Sequence, residues 1–313
     1  MKKLIAEVGL WFIWVPFRRI LCHLPLQLNY FIAHLFSRLA YLVLKRRREI
    51  VMEEITNLFG ERIGEKEIQK IVKKSFDIFC KRQVENFLLG DLTKDKMDEM
   101  LSVEGIDNLE VALQKEKGVI LLLSHFGSFL LPLPFLGNKE YNVIQVVGKP
   151  LVEGRDPIHK KLFERKKREL DKLPVQFIVT DRYLGPIIRT LKNNGIVVIA
   201  FDGRTGNKWI PVRLFNRTAQ FSPGPFNLAI KTGATILPTF VVRERNNKHK
   251  IIFEPAMKLE VTDDKEETLK INTIKYAKIF ERYILKYPCH FAMILYSIRN
   301  EAEKGLNRPL FVN

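Results

Sequence analysis

Of the six histidines in this 313-residue chain, His125 stands in a setting suited to chemistry. It lies in Ser124-His125-Phe126-Gly127-Ser128, directly after the most apolar run of the chain, Val119 to Leu123. A histidine at the end of a buried strand can act as a general base, and Gly127 lets a ligand approach the backbone closely. Gly127 and Ser128 are therefore candidate ligand contacts. His23, His34, His159, His249 and His290 lack this setting. A second polar cluster, Phe201-Asp202-Gly203-Arg204-Thr205-Gly206, follows the apolar run Ile196 to Phe201. If the two runs are parallel neighbours in one sheet, Asp202 can orient and charge-stabilise the imidazole, while Arg204 offers a fork for a phosphate or carboxylate. Taken alone, the segment reads equally as an ordinary loop in which Asp202 caps a turn. No phosphate-cradling glycine loop, dinucleotide fingerprint or nucleophile-elbow serine is present. A histidine without a partner nucleophile suggests direct transfer, the base deprotonating the acceptor itself.

These residues need a sheet to hold them. Val119 to Leu123, Val143 to Val147, Val175 to Val179, Ile196 to Phe201, Thr235 to Val242 and Ile251 to Phe253 read as strands. From Glu49 to Leu89 apolar residues recur at helical spacing. Further helices are expected from Asp156-Pro157, from Asp181 to Gly195 and from Ser222-Pro223 to Gly233, with a final one from Asp263 to Ile284. Strands alternating with helices imply an α/β fold, a mostly parallel central sheet flanked by helices. Ligands then sit at the carboxyl ends of the strands. Pro238 within its strand argues for an edge, a bulge or a strand end.

Charge narrows the setting. The chain carries a formal +17, and residues 1–48 hold nine basic residues against the single acid Glu7. The same stretch is the most apolar, with Leu10 to Phe17, Tyr30 to Phe36 and Leu39 to Leu44. Such a combination suits a bilayer better than a nucleic acid. Charges and prolines interrupt every window of the roughly 20 apolar residues that a span requires, and no cleavage site follows the first run. We expect residues 1–48 to form helices associating with the membrane interface, with Trp11, Trp14 and Tyr41 at headgroup depth and Lys45 to Arg48 on anionic lipid. Residues 49–313 then form a single α/β domain. Cys22, Cys80 and Cys289 are too widely spaced for a disulfide framework or a zinc module, so no metal is expected.

Several blocks together resemble the bacterial lipid A biosynthesis acyltransferases, within the wider lysophospholipid acyltransferase superfamily. They are Val103 to Leu109, Gly118 to Ser128, Gly148-Lys149-Pro150, Asp202 after its strand, and Gly233 to Pro238. The resemblance runs through most of the chain. It implies transfer of a fatty acyl chain from an acyl carrier protein or coenzyme A thioester, as co-substrate without any cofactor, to a hydroxyl of a glycolipid or phospholipid acceptor. It also implies a peripheral or monotopic protein on the cytoplasmic face of a bacterial inner membrane. His125 corresponds to the family's base, and Lys149 with Arg204 to groups that stabilise an oxyanion or bind a headgroup.

Two departures qualify this. The family places Asp or Glu five residues after its histidine, where this chain has Leu130, and Asp202 is assigned as the replacement carboxylate. Near the C-terminus, Pro288-Cys289-His290 and Leu295-Tyr296-Ser297 replace the usual run. Leu130 also motivates an alternative, a catalytically inactive relative that binds or presents lipid. The basic helix from Pro157 to Asp171 suits either an acidic acyl carrier protein or simple exposure to solvent.

Overall fold

Five consecutive apolar residues, Val119 to Leu123, form a strand with every side chain buried, and the main sheet is built around it. A computed structural model of the chain describes residues 16–148, 164, 167–180, 184–204 and 206–312. The described helices are α1 (Arg18–His23), α2 (Leu26–Val43), α3 (Lys45–Phe59), α4 (Glu65–Leu88), α5 (Lys94–Met100), α6 (Ile106–Leu113), α7 (Pro132–Asn138), α8 (Gly185–Lys192), α9 (Gly224–Thr232), α10 (Lys265–Lys286) and α11 (Ala292–Glu303). The strands are β1 (Leu101–Glu104), β2 (Val119–Leu123), β3 (Val143–Gly148), β4 (Gln176–Thr180), β5 (Ile196–Ala200), β6 (Ile210–Leu214), β7 (Arg217–Phe221), β8 (Thr235–Arg243), β9 (His249–Phe253) and β10 (Phe311–Val312).

The main sheet has the order β1-β9-β8-β2-β5-β3-β4, parallel throughout except for the β8–β9 pair. The mostly parallel α/β fold is thus as expected. Alternate side chains of β2 feed two cores, as a strand's period of two requires. Ile120 and Leu122 join the larger one, and Val119, Leu121 and Leu123 join the other. Continuous apolar strands are stable here because helices cover both faces.

Several elements were not legible beforehand. β1 is a four-residue strand paired with β9, and β6, β7 and β10 form a separate antiparallel sheet. Pro238 lies in an interior strand, correcting the edge reading. It closes the pairing of β8 with β2, at Leu122, and pairing with β9 begins at Thr239. The missing N–H falls where one partner strand hands over to the other. α10 ends at Lys286 and is followed by α11, so it is not the last helix. The helix after Thr180 begins at Gly185, and Gly233 closes α9 in the left-handed conformation. Asp181, Asp156-Pro157 and most of the basic Pro157–Asp171 segment lie outside the described residues.

Within the first 48 residues, Trp11 and Trp14 also lie outside the described residues, and 18–43 are helical except at Leu24 and Pro25. α2 buries Asn29, Tyr30, Ala33 and Ser37. Its opposite face leaves Phe31 58%, Leu35 49% and Leu39 57% exposed. Tyr41 turns inward instead, its ring edge-on to Phe76 at 5.5 Å, which corrects the headgroup placement. Arg47 packs over Tyr296 and Arg48 donates to the Tyr41 carbonyl, so part of the basic cluster is engaged by the protein itself. No described helix is long and apolar enough to cross a membrane.

Candidate active site

β2 and β5 are direct parallel neighbours, with Leu123 opposite Ala200 at their carboxyl ends. His125 and Asp202 leave the sheet side by side. His125 Nδ1 lies 3.0 Å from Asp202 Oδ1, and the His125 backbone N–H donates to the same carboxylate at 2.9 Å. Because a carboxylate only accepts, Nδ1 carries the proton, and in the neutral form of the ring Nε2 has a lone pair to offer.

The Asp202 side chain is fully buried, whereas the imidazole is 37% exposed. Burial alone would raise the Asp202 carboxyl, but the His125 charge and the ring and backbone hydrogen bonds outweigh it and hold the group below the usual carboxylate range. Beneath the pair, Phe201 stacks on Phe221 at 4.2 Å and tilts against Tyr276 at 4.3 Å. The Tyr276 hydroxyl donates to the Leu122 carbonyl at 2.8 Å, tying α10 to the end of β2. This aromatic packing fixes where the Asp202 loop leaves the sheet.

Both residues open into a cavity of about 950 Å³ whose wall is mostly apolar, including Phe129, Leu130, Phe177, Ile187 and Ile298. Leu130, at the position where an acid was expected, is thus part of the apolar wall. Arg204 also lines the cavity. Its Nε donates to the Asp202 carbonyl at 3.1 Å and its Nη1 to the Pro309 carbonyl at 3.3 Å, while the Trp209 ring lies 4.9 Å from Cζ. Its Nη2 has no partner among the described residues. Burial lowers its pKa to about 10, which leaves it charged at neutral pH.

Gly127 and Ser128 do not line this cavity. Gly127 has φ +57°, and a Cβ there would meet the Val241 carbonyl oxygen at 2.2 Å. Its N–H donates to the His290 carbonyl at 3.2 Å, and the Ser128 hydroxyl donates to the buried Glu85. Their place is behind the His125 loop. Lys149 lies outside the described residues. Among the described residues no group of three His, Cys, Asp or Glu side chains is arranged to hold a metal ion.

The Glu85 centre was not foreseen. Glu85 accepts from Tyr30 at 2.8 Å and Arg243, lies 2.9 Å from His249 Nε2, and receives Ser128 on its other oxygen. His290 Nε2 accepts the Arg243 backbone N–H at 2.8 Å. The one available signal lay in α4, where Arg82 and Glu85 continue the buried stripe of Ile71, Ser75 and Ile78. Charges at core positions of a helix call for partners.

Comparison with known proteins decides the family. The profile of the bacterial lipid A biosynthesis acyltransferases matches residues 2–299. This chain belongs to that family. It is 23% identical over 291 residues to a lipid A biosynthesis palmitoleoyltransferase of Escherichia coli (strain K12), covering 92% of this chain and 88% of that one. A lipid A biosynthesis acyltransferase of Shigella flexneri matches to the same extent. For a member of an acyltransferase family, a histidine–carboxylate pair opening into an apolar cavity has a direct chemical use.

Proposed function

We propose that this family member transfers a fatty acyl chain from a thioester to a hydroxyl of a lipid acceptor, with His125 as general base and Asp202 as its orienting carboxylate. The observation that carries this is the His125–Asp202 hydrogen bond at the wall of an apolar cavity large enough for an acyl chain. His125 Nε2 takes the acceptor's hydroxyl proton as its oxygen attacks the thioester carbonyl carbon. The tetrahedral intermediate expels the thiolate, and the imidazolium returns the proton to sulfur. Asp202 favours the required tautomer and stabilises the imidazolium. Arg204 and Lys149 supply positive charge for the oxyanion or for an anionic headgroup.

The acceptor is a glycolipid of the lipid A type or a lysophospholipid, and the donor an acyl carrier protein or coenzyme A thioester. Contact with the bilayer is made by the exposed face of α2, at the cytoplasmic side of the inner membrane. Phe31, Leu35 and Leu39 fall on one stripe of that helix, and Arg38, Lys45 and Arg46 lie close by in the chain to meet anionic lipid.

The deciding experiment is acyl transfer by purified full-length protein to a lipid extract, read by mass spectrometry as an added acyl group. Turnover that His125→Ala lowers by at least roughly a hundredfold is expected. Turnover unaffected by both His125→Ala and Asp202→Asn would remove the mechanism.

A further inference from the structure

The buried centre around Glu85 carries more positive than negative charge. Glu85 is 2% exposed, Arg82 7%, and the Arg243 side chain 5%. Burial keeps His249 neutral at neutral pH, so among the described residues one carboxylate answers two guanidiniums. Both Glu85 oxygens are already occupied, by Arg243, His249 and Tyr30 on one and Ser128 on the other. A buried charge without a matched partner is costly, and ligand binding is one way such charges are answered.

The surplus is presented at Arg82. Arg243 is not part of the cavity wall, whereas Arg82 is, with Asn86 one helical turn further along α4. Arg82 Nη1 faces the Gly127 carbonyl at 3.5 Å, bracing the loop that carries His125. Its Nε has no hydrogen-bond partner among the described residues. Nε and Nη2 share one edge of the guanidinium plane, and that edge matches two oxygens of an oxoanion. Arg82 Cζ lies 5.9 Å from the centre of the Phe129 ring, and the same ring meets His125 edge-on at 4.7 Å. An anion held at Arg82 is therefore set beside the reacting centre, one aromatic ring away from the imidazole.

We infer that Arg82, with Asn86, forms a phosphoryl-binding subsite in the cavity, separate from Arg204. It rests on the acyl-transfer reading only for the source of the phosphoryl group, which is either the acceptor's headgroup or the thioester donor's carrier moiety. The two arginines brace the two loops of the pair, Arg82 from helix α4 and Arg204 from the Asp202 loop itself. Arg82 touches the backbone of the His125 loop, and Arg204 touches that of the Asp202 loop.

The test is calorimetric titration of the full-length protein with inorganic phosphate at constant ionic strength. Wild type, Arg204→Gln, Arg82→Gln and Arg82→Lys are compared, each first shown to melt cooperatively. Arg82→Lys keeps the charge and loses the fork, so it guards against misfolding of the glutamine variant. The expected result is a phosphate-binding event that survives in Arg204→Gln and weakens at least about tenfold in both Arg82 variants. Wild-type protein that binds no phosphate, or Arg82→Lys that binds it as tightly as wild type, overturns the subsite. In acyl transfer, a raised KM for a phosphorylated acceptor in Arg82→Lys assigns the group to the headgroup. A raised KM for the donor assigns it to the carrier moiety, and either outcome supports the subsite. Phosphate binding lost in Arg82→Lys, with no acyl transfer by wild type, leaves the subsite standing and removes the enzymatic reading alone.

Discussion

His125 Nδ1 and Asp202 Oδ1 stand 3.0 Å apart across 77 residues of sequence, joined because the strands that precede them are parallel neighbours. A carboxylate thus reaches the imidazole from the neighbouring strand. If it serves the base, His125→Ala lowers the rate of acyl transfer by roughly 10²–10⁴ and Asp202→Asn by up to the same factor. Initial rates with purified variants, compared with their melting temperatures, measure this.

Leu130→Glu places a carboxylate where the sequence reading expected one, at a position that lines the apolar cavity. A carboxylate there is half-buried on a mostly apolar wall, so the variant is expected to be less stable and no more active than wild type. Thermal melting and initial rates check both. A gain in turnover from a silent parent would point instead to a lipid-presenting protein.

Gly127→Ala meets a rigid obstacle, since the new Cβ would sit 2.2 Å from the Val241 carbonyl oxygen at a positive φ. The loop must shift, and His125 with it. A loss of about 1–3 kcal/mol is expected in urea denaturation, accompanied by a fall in kcat larger than any change in acceptor KM.

Acid should destabilise the protein through His290. Burial, then the positive charge of Arg243, pushes its pKa from 6.5 to about 3. The unfolded chain therefore takes up this proton first, and the associated stability is present above about pH 6.5 and lost as pH falls toward about 3. Asp202 and Glu85 are both held below the usual carboxylate range, burial opposing and their cationic partners prevailing. Their contributions are present above the ordinary carboxylate range and are lost as pH falls through and below it. His290→Gln keeps an acceptor for the Arg243 N–H without titrating, so its melting temperature is expected to vary less than wild type's between pH 6.5 and 4.5.

Membrane contact through α2 can be tested without touching the core. Phe31, Leu35 and Leu39 are about half exposed or more, and each would bury apolar area worth up to roughly 1.5–3 kcal/mol on insertion. The triple change to serine is expected to weaken sedimentation with anionic vesicles at least tenfold while leaving the melting temperature nearly unchanged.

Much of this was legible in the chain itself. Val119 to Leu123 announces a buried strand, Gly233 ends a helix, and Ser124 to Ser128 marks the turn that carries His125, because each signal resides in a few adjacent residues. α2's exposed stripe could also be read, since Phe31, Leu35 and Leu39 recur at one helical period. β6 and β7 were missed because short alternating segments such as Ile210–Leu214 become strands only through pairing with each other. Tyr41 was misplaced because helix periodicity does not reveal which face a neighbouring helix covers.

The sequence by itself determined the alternation of strands and helices, the amphipathic basic N-terminal region and the identity of a lone candidate base. Only the tertiary structure decided which carboxylate that base meets, that Gly127 and Ser128 support the loop from behind, and that Arg82 and Glu85 share a buried centre with Arg243 and His249. Local periodicity sets what each segment becomes. Strand order sets which distant side chains share a volume, and the cost of burying an unmatched charge makes those long-range pairings matter.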